Sequence, residues 1–247
     1  MRRFNVLWLC SFCLLVVMIH PAYADVPSYT FTVNVTTDSI DATPGDGICS
    51  DAAGKCSLRA AIMEANALSS ATVSIQAPAG TYNLTITSGA EENVSASNDL
   101  DITNSGSTII TGTGNGQDVI INATTIAHRV FDVIAGANLT LNNLTVTGGY
   151  SSVAGGGIRV AGGATLNLNH VIITGNASID GGGIWNAGTI TGTLASITSN
   201  SASGMGGGIF LSGTADNSVT LTRSMIYGNT AASYGGGIAN WGNGSYD

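Results

Sequence analysis

One phrase, Gly-Gly-Gly-Ile, constrains this chain more than any other feature. It stands at 155–158, 181–184, 206–209 and 235–238, so it returns about every 25 residues. A second marker precedes each of the last three: Asn176, Asn200 and Asn229. Aligned on these Asn, Ile173, Ile197 and Ile226 stand three positions earlier. Leu168, Gly192 and Leu221 stand eight earlier, and Leu166, Ile190 and Val219 ten earlier. An older repeat fits the same register with Gly149 at the marker and Leu139, Leu141 and Val146 at the same offsets. Apolar residues two apart are strand periodicity, and nothing here has helical spacing. A repeat this short cannot bury its apolar face alone; stacked repeats can, in continuous internal columns. The pattern predicts an all-β chain wound as a single-stranded parallel β-helix, right-handed because parallel crossovers have that chirality. The Asn markers are expected to take left-handed turn geometry and to bond one another along the axis as an amide ladder. The glycines are expected to supply positive φ and close backbone approach. No helix follows any tetrad, which argues against a phosphate-binding loop.

The chain opens Met1-Arg2-Arg3, runs apolar from 6 to 19, and reaches Ala-Tyr-Ala ending at Ala24, before Asp25. This is the layout of a secretory signal peptide over 1–24, cut between Ala24 and Asp25. The apolar run falls short of the roughly 20 residues a membrane span needs. No later segment is long or apolar enough either, so no membrane insertion is expected. Export makes the chain secreted or cell-surface. It leaves Cys49 and Cys56, which an oxidising compartment would join in a short-loop disulfide. Two cysteines without histidine partners make a poor zinc site.

Charge is scarce: 9% of residues, with fifteen acidic against seven basic and a net charge of −8. Beyond the signal the cations are Lys55, Arg59, Arg129, Arg159 and Arg223. They form no cluster of the kind nucleic acid or anionic lipid requires. Low charge with abundant Thr, Val, Ile, Gly and Asn suits strands joined by tight turns rather than disorder.

Upstream of the tetrads, 29–35 alternates as a half-buried strand. An acidic, turn-rich loop follows over 37–54. Ser57 is placed to cap a helix running to about Leu68, with Leu58, Ala61, Ile62 and Ala65 on one face. Strand returns over 72–84, and 119–122 and Phe131 with Val133 read as early coils. A solenoid must cover its apolar ends. Disulfide, helix and edge strand within 25–70 are expected to form that cap, with β-helix repeats over 71–247.

Cys56-Ser57-Leu58-Arg59-Ala60-Ala61-Ile62, followed by Glu64-Ala65-Asn66, resembles the CSLREA domain family. So do the acidic stretch from Thr37-Asp38 to Gly47-Ile48-Cys49 and the segment Pro78-Ala79-Gly80-Thr81-Tyr82. The Asn and Gly-Gly-Gly-Ile repeats are similar to those of polymorphic outer membrane proteins and related pectin-lyase-like β-helices. The resemblance covers nearly all of the chain after the signal. It implies a bacterial exported or cell-surface protein, often large and C-terminally anchored, without an established catalytic activity. The chain departs from the family at Ala60, where the motif has Glu. Loss of that capping-box partner costs the helix about 0.5–1 kcal/mol.

Three chemistries suggest themselves. Asp38, Asp41, Asp46 and Asp51, set around Gly45 and Gly47, read first as a solvated turn loop whose carboxylates cap backbone groups; the alternative is a calcium ligand set, and no other cofactor is expected. Asp99, Asp101, Asp118 and Asp132, with His128 and Arg129, are candidates for a polysaccharide lyase or glycosidase site. Asp132, between inward Phe131 and Val133, is expected to point out as a solvated charge. The residues after each tetrad Ile (Arg159, Trp185, Phe210 and Ala239) are expected to stack on one flank. Trp185 and Phe210, with Trp241 nearby, would then bind an extracellular glycan or a cell-surface protein, unless side loops cover them. Only 240–247 follow the last tetrad, which suggests truncation, with the anchor in a missing C-terminal region, or a partner covering that end.

Overall fold

The computed structural model describes residues 26–88, 92–114, 118–213 and 217–242. The signal peptide and its cleavage position, Ala24 and Asp25, lie outside them.

Four parallel sheets stack along the described chain; from Asn138 onward each repeat visits them in turn, whereas the earlier coils have no strand in the third. Sheet I has seven strands: Ser28–Thr32, Thr72–Ala77, Ser107–Gly112, Asn138–Asn142, Thr165–Asn169, Thr189–Thr193 and Ser218–Thr222. Sheet II has six: Gly80–Asn83, Val119–Asn122, Thr145–Thr147, Ile172–Thr174, Ser196–Thr198 and Met225–Tyr227. Sheet III has four: Tyr150–Ala154, Ala177–Asp180, Ser201–Ala202 and Thr230–Ala231. Sheet IV has six: Leu100–Ile102, Phe131–Val133, Ile158–Val160, Ile184–Asn186, Ile209–Leu211 and Ile238–Asn240. The fold is mostly β and parallel, with one helix among the described residues.

Alternation sets which side chains meet. Leu139, Leu166, Ile190 and Val219 share one register position in sheet I, and Val146, Ile173, Ile197 and Ile226 share one in sheet II. In sheet IV the shared column is Leu100, Phe131, Ile158, Ile184, Ile209 and Ile238. Most of these are fully buried, and each full burial contributes roughly 1.5–3 kcal/mol.

The tetrads lie between sheets III and IV and stack by backbone bonds of their own. Gly182 N–H donates to Gly206 O at 3.1 Å, Gly183 N–H to Gly207 O at 3.0 Å, and Ile184 N–H to Gly208 O at 2.9 Å. A Cβ on Gly182 would sit 2.3 Å from the Ser201 carbonyl oxygen. Close approach is therefore the reason for glycine there. Asn176, Asn200 and Asn229 form one column, the first two buried and Asn229 half-buried. Asn200 Oδ1 accepts from the N–H and the Nδ2 of Asn176, at 3.0 and 2.9 Å. Asn229 Oδ1 accepts likewise from Asn200, at 2.9 and 3.0 Å. Asn176 Oδ1 accepts from the N–H of Gly149, which begins the column. The left-handed turn geometry expected of these Asn belongs instead to the residue before each: Gly175, Ser199 and Gly228. A left-handed residue there frees the Asn to aim its amide along the axis.

The single helix, α1, spans Leu58–Ala67. Ser57 caps it, its Oγ accepting from Ala60 N–H at 3.0 Å, so half of the box survives without Glu. The Cys49–Cys56 disulfide sits just before it. The helix packs on Thr72–Ala77 and Leu100–Ile102. Ser28–Thr32 pairs in parallel with Thr72–Ala77 and so opens sheet I. The helix buries more than one apolar face: Arg59 and Glu64 are 0% exposed along with Ala60, Ala61 and Ile62.

Candidate functional site

One outward column of sheet IV carries most of the chemistry. Strand register places Asp101, Asp132, Arg159, Trp185, Phe210 and Ala239 side by side along the axis. Inward neighbours Leu100, Ile102, Phe131, Val133, Ile158 and Val160 are fully buried, which fixes the opposite orientation of the column.

At its first end the column becomes a carboxylate–arginine cluster. Asp99, Asp101 and Asp132 each bring a carboxylate oxygen within 4.8 Å of the others. Arg129 Nη1 donates to Asp99 Oδ2 at 3.0 Å and to Asp132 Oδ2 at 2.9 Å. Arg159 Nη1 donates to both Asp132 oxygens at 2.8 Å. Asp101 Oδ2 accepts from Ser95 N–H at 2.9 Å, while its Oδ1 accepts no hydrogen bond. Burial, then the neighbouring Asp99 charge, pushes the Asp101 carboxyl up to about 8 against the opposing pull of that N–H.

Asp132 points out of the sheet, yet it is not the solvated charge expected. It is 1% exposed, as is Asp99, and Asp101 is 0% exposed. Ser95, in the segment 92–99, lies against Asp101: its N–H and Oγ donate to Asp101 Oδ2 and O at 2.9 and 2.8 Å. Arg59, reaching out of α1, holds that segment down: its Nη1 donates to the carbonyls of Ser95 and Asp99 and its Nη2 to that of Asn98, at 3.0, 3.2 and 2.8 Å. Arg59 Nε also pairs with Asp38 Oδ1 at 2.6 Å, and Asp38 Oδ2 accepts from the N–H groups of Thr85 and Ile86. Asn66, two residues beyond Glu64, clasps the first strand of sheet IV through Asp101 O and Thr103 N–H. Of the other catalytic candidates, His128 is half-buried, and Asp118 is exposed and stands outside the cluster.

Arg59 and Glu64 are the residues that sequence reasoning missed. Glu64 accepts from the N–H groups of Gly45 and Gly47, both at 2.5 Å, and so pins the acidic loop to the helix. The available signal was an arginine and a glutamate in a ten-residue helix otherwise made mostly of Ala and apolar side chains.

The acidic loop itself does not assemble a ligand set. Asp41 accepts from Thr43 and Ser50 N–H, Asp46 from Ile48 N–H, and Asp51 from Ala53 and Lys55 N–H and the Ser39 hydroxyl. The Lys55 N–H, then the Ser39 hydroxyl, hold the Asp51 carboxyl below the usual range. With Asp38 on Arg59, the four carboxylates point to separate turns, because nearby backbone donors satisfy each locally. Among the described residues, the acidic group that converges is Asp99, Asp101 and Asp132.

The aromatic flank is also partly closed. Trp185 is half-buried with the Arg159 guanidinium 5.8 Å from its ring centre. Phe210 faces outward but is only 6% exposed, which is the covered alternative rather than the open row. Trp241, 57% exposed, lies beyond the column and lines a hollow of about 350 Å³ with Met205, Tyr234 and Ile238. No helix among the described residues is long and apolar enough to cross a membrane. No family model, curated protein or solved structure matches this chain.

Proposed function

We propose that this chain is an exported, non-catalytic, right-handed parallel β-helix module of the CSLREA and polymorphic outer membrane protein type, presenting a rigid polar surface for adhesion or display outside a bacterial cell. The observation that carries this reading is the sealing of Asp99, Asp101 and Asp132. General acid–base work requires the carboxylate to touch its substrate, and these three are at most 1% exposed beneath a tied-down segment. The accessible surface of sheet I offers instead rows of uncharged donors and acceptors: Thr165, Asn167 and Asn169, then Thr189, Thr191 and Thr193, then Ser218, Thr220 and Thr222. Their spacing along the axis is that of neighbouring strands, about 4.8 Å. The basic, apolar, Ala-Tyr-Ala start of the chain and the Cys49–Cys56 disulfide support export.

Two measurements test this. Incubation with pectin, alginate and related polymers is expected to release no new reducing ends and no unsaturated products; release of either would sink the non-catalytic reading. Binding of the purified chain to a glycan array is the second, with Trp185→Ala and Trp241→Ala as controls. Loss of glycan signal in either control would refine adhesion to a sugar site at the aromatic flank. Signal persisting in both would move it to the hydroxyl and amide rows of sheet I.

A further inference from the structure

Three carboxylates converge on the outer side of sheet IV, and the arginines there engage two of them. Arg129 bridges Asp99 and Asp132, and Arg159 adds a second cation to Asp132. Asp101 receives one backbone N–H on Oδ2 and nothing on Oδ1, in a position 0% exposed. Glu92, at the start of the covering segment, adds its negative charge to the field at Asp101. Arg59 is matched by Asp38. Three buried carboxylates thus converge, and one of them, Asp101, keeps an oxygen that accepts no hydrogen bond. Like charges held this close inside a protein require a counter-charge. The atoms that converge are all carboxylate oxygens, the ligands of a hard cation rather than of zinc or copper. Carboxylate oxygens have lone pairs enough to accept an N–H and face a cation together.

We propose that Asp99, Asp101 and Asp132 hold one hard divalent cation of the calcium class, which fastens the 92–99 segment to the outer face of sheet IV. The ion is structural: it joins strands Leu100–Ile102 and Phe131–Val133 to the segment that Arg59 grips from the helix side. The proposal does not depend on what the outer surface binds.

The purified chain is unfolded, refolded in calcium chloride and passed into calcium-free buffer, and its metal content is measured. One calcium per chain is expected in the parent and none in Asp101→Asn, which keeps the shape and removes the charge. Chelation is expected to lower the melting temperature of the parent by roughly 5 °C or more and to leave Asp101→Asn unmoved. A second probe works on the parent alone and locates the ion. Terbium at this site lies roughly 10 Å from Trp185, two strands along the same column. Excitation of tryptophan should therefore give terbium emission, and Trp185→Phe should abolish it while keeping its calcium. A parent that retains no calcium and gives no terbium emission overturns the proposal, and leaves a proton as the counter-charge of Asp101. Calcium retained in Asp101→Asn but lost in Asp41→Asn also overturns it, by placing the ion in the acidic loop.

Discussion

Before Asn138 the stack is tied by charged side chains; from Asn138 onward it is tied by amides and by the backbone of glycines. In the first region Arg59 alone joins α1, the Asp38 turn and the 92–99 segment, and Glu64 closes the acidic loop. No two of these contacts repeat. In the second region the same few bonds recur at each turn: Asn to Asn, tetrad to tetrad, and Thr or Asn to its neighbour on sheet I, as in Thr191 Oγ1 to Asn167 Oδ1 at 2.6 Å. The first region concentrates its stability in a few residues, whereas the second spreads it over a column. Damage in the first should therefore be large and regional, and damage in the second smaller and confined to adjacent coils, as stacked repeats with nearest-neighbour coupling require.

Arg59→Met tests the first half of that contrast. It strands the Asp38 carboxylate and three buried carbonyls, and breaking a buried pair from one side costs about 3–5 kcal/mol. Urea unfolding measures it, and a loss below about 1 kcal/mol would remove Arg59 as a hub. Amide exchange in the same variant should rise first over 85–102. Asn200→Leu is the matching cut in the column. It removes the acceptor for Asn176 and the donors to Ile173 O and Asn229 Oδ1, at about 2–3 kcal/mol. Its exchange signature should stay within the neighbouring coils, and an unchanged melting temperature would show that the ladder holds nothing.

Gly182→Ala is expected to cost about 1–3 kcal/mol by overpacking, since its Cβ would meet the Ser201 and Gly207 carbonyls. A neutral result would mean that the tetrads are not close-approach sites. The smallest effect runs the other way. Leu194 holds a left-handed conformation, φ 56°, at a corner where the preceding repeats have Asn143 and His170. It is 49% exposed, so little packing is lost on replacement. Leu194→Asn should raise stability by about 1 kcal/mol, read as a higher urea midpoint.

The regular half of the molecule was legible in its residues. The offsets around Asn176, Asn200 and Asn229 give the strand register of sheets I and II directly, because one internal column admits one register. Ser57 announced its helix through capping chemistry. Less was legible where a contact depends on distant chain. Phe210 reads as an outward aromatic from its place after Ile209, and alternation does put it outward, but its burial depends on what lies above the sheet. Asp38, Asp41, Asp46 and Asp51 look like one ligand set because they are close in sequence; in space each turns to its own backbone donors.

The sequence by itself determined which residues face the interior and how the repeats stack, since both follow from a period of two within strands and of about 25 between coils. The tertiary structure alone decided the state of Asp99, Asp101 and Asp132. Alternation places Asp101 and Asp132 on the outer side of the sheet, where water is the default. Whether water reaches them depends on the 92–99 segment and on Arg59, forty positions before Asp99 in the chain, and no local pattern encodes a contact made over that distance.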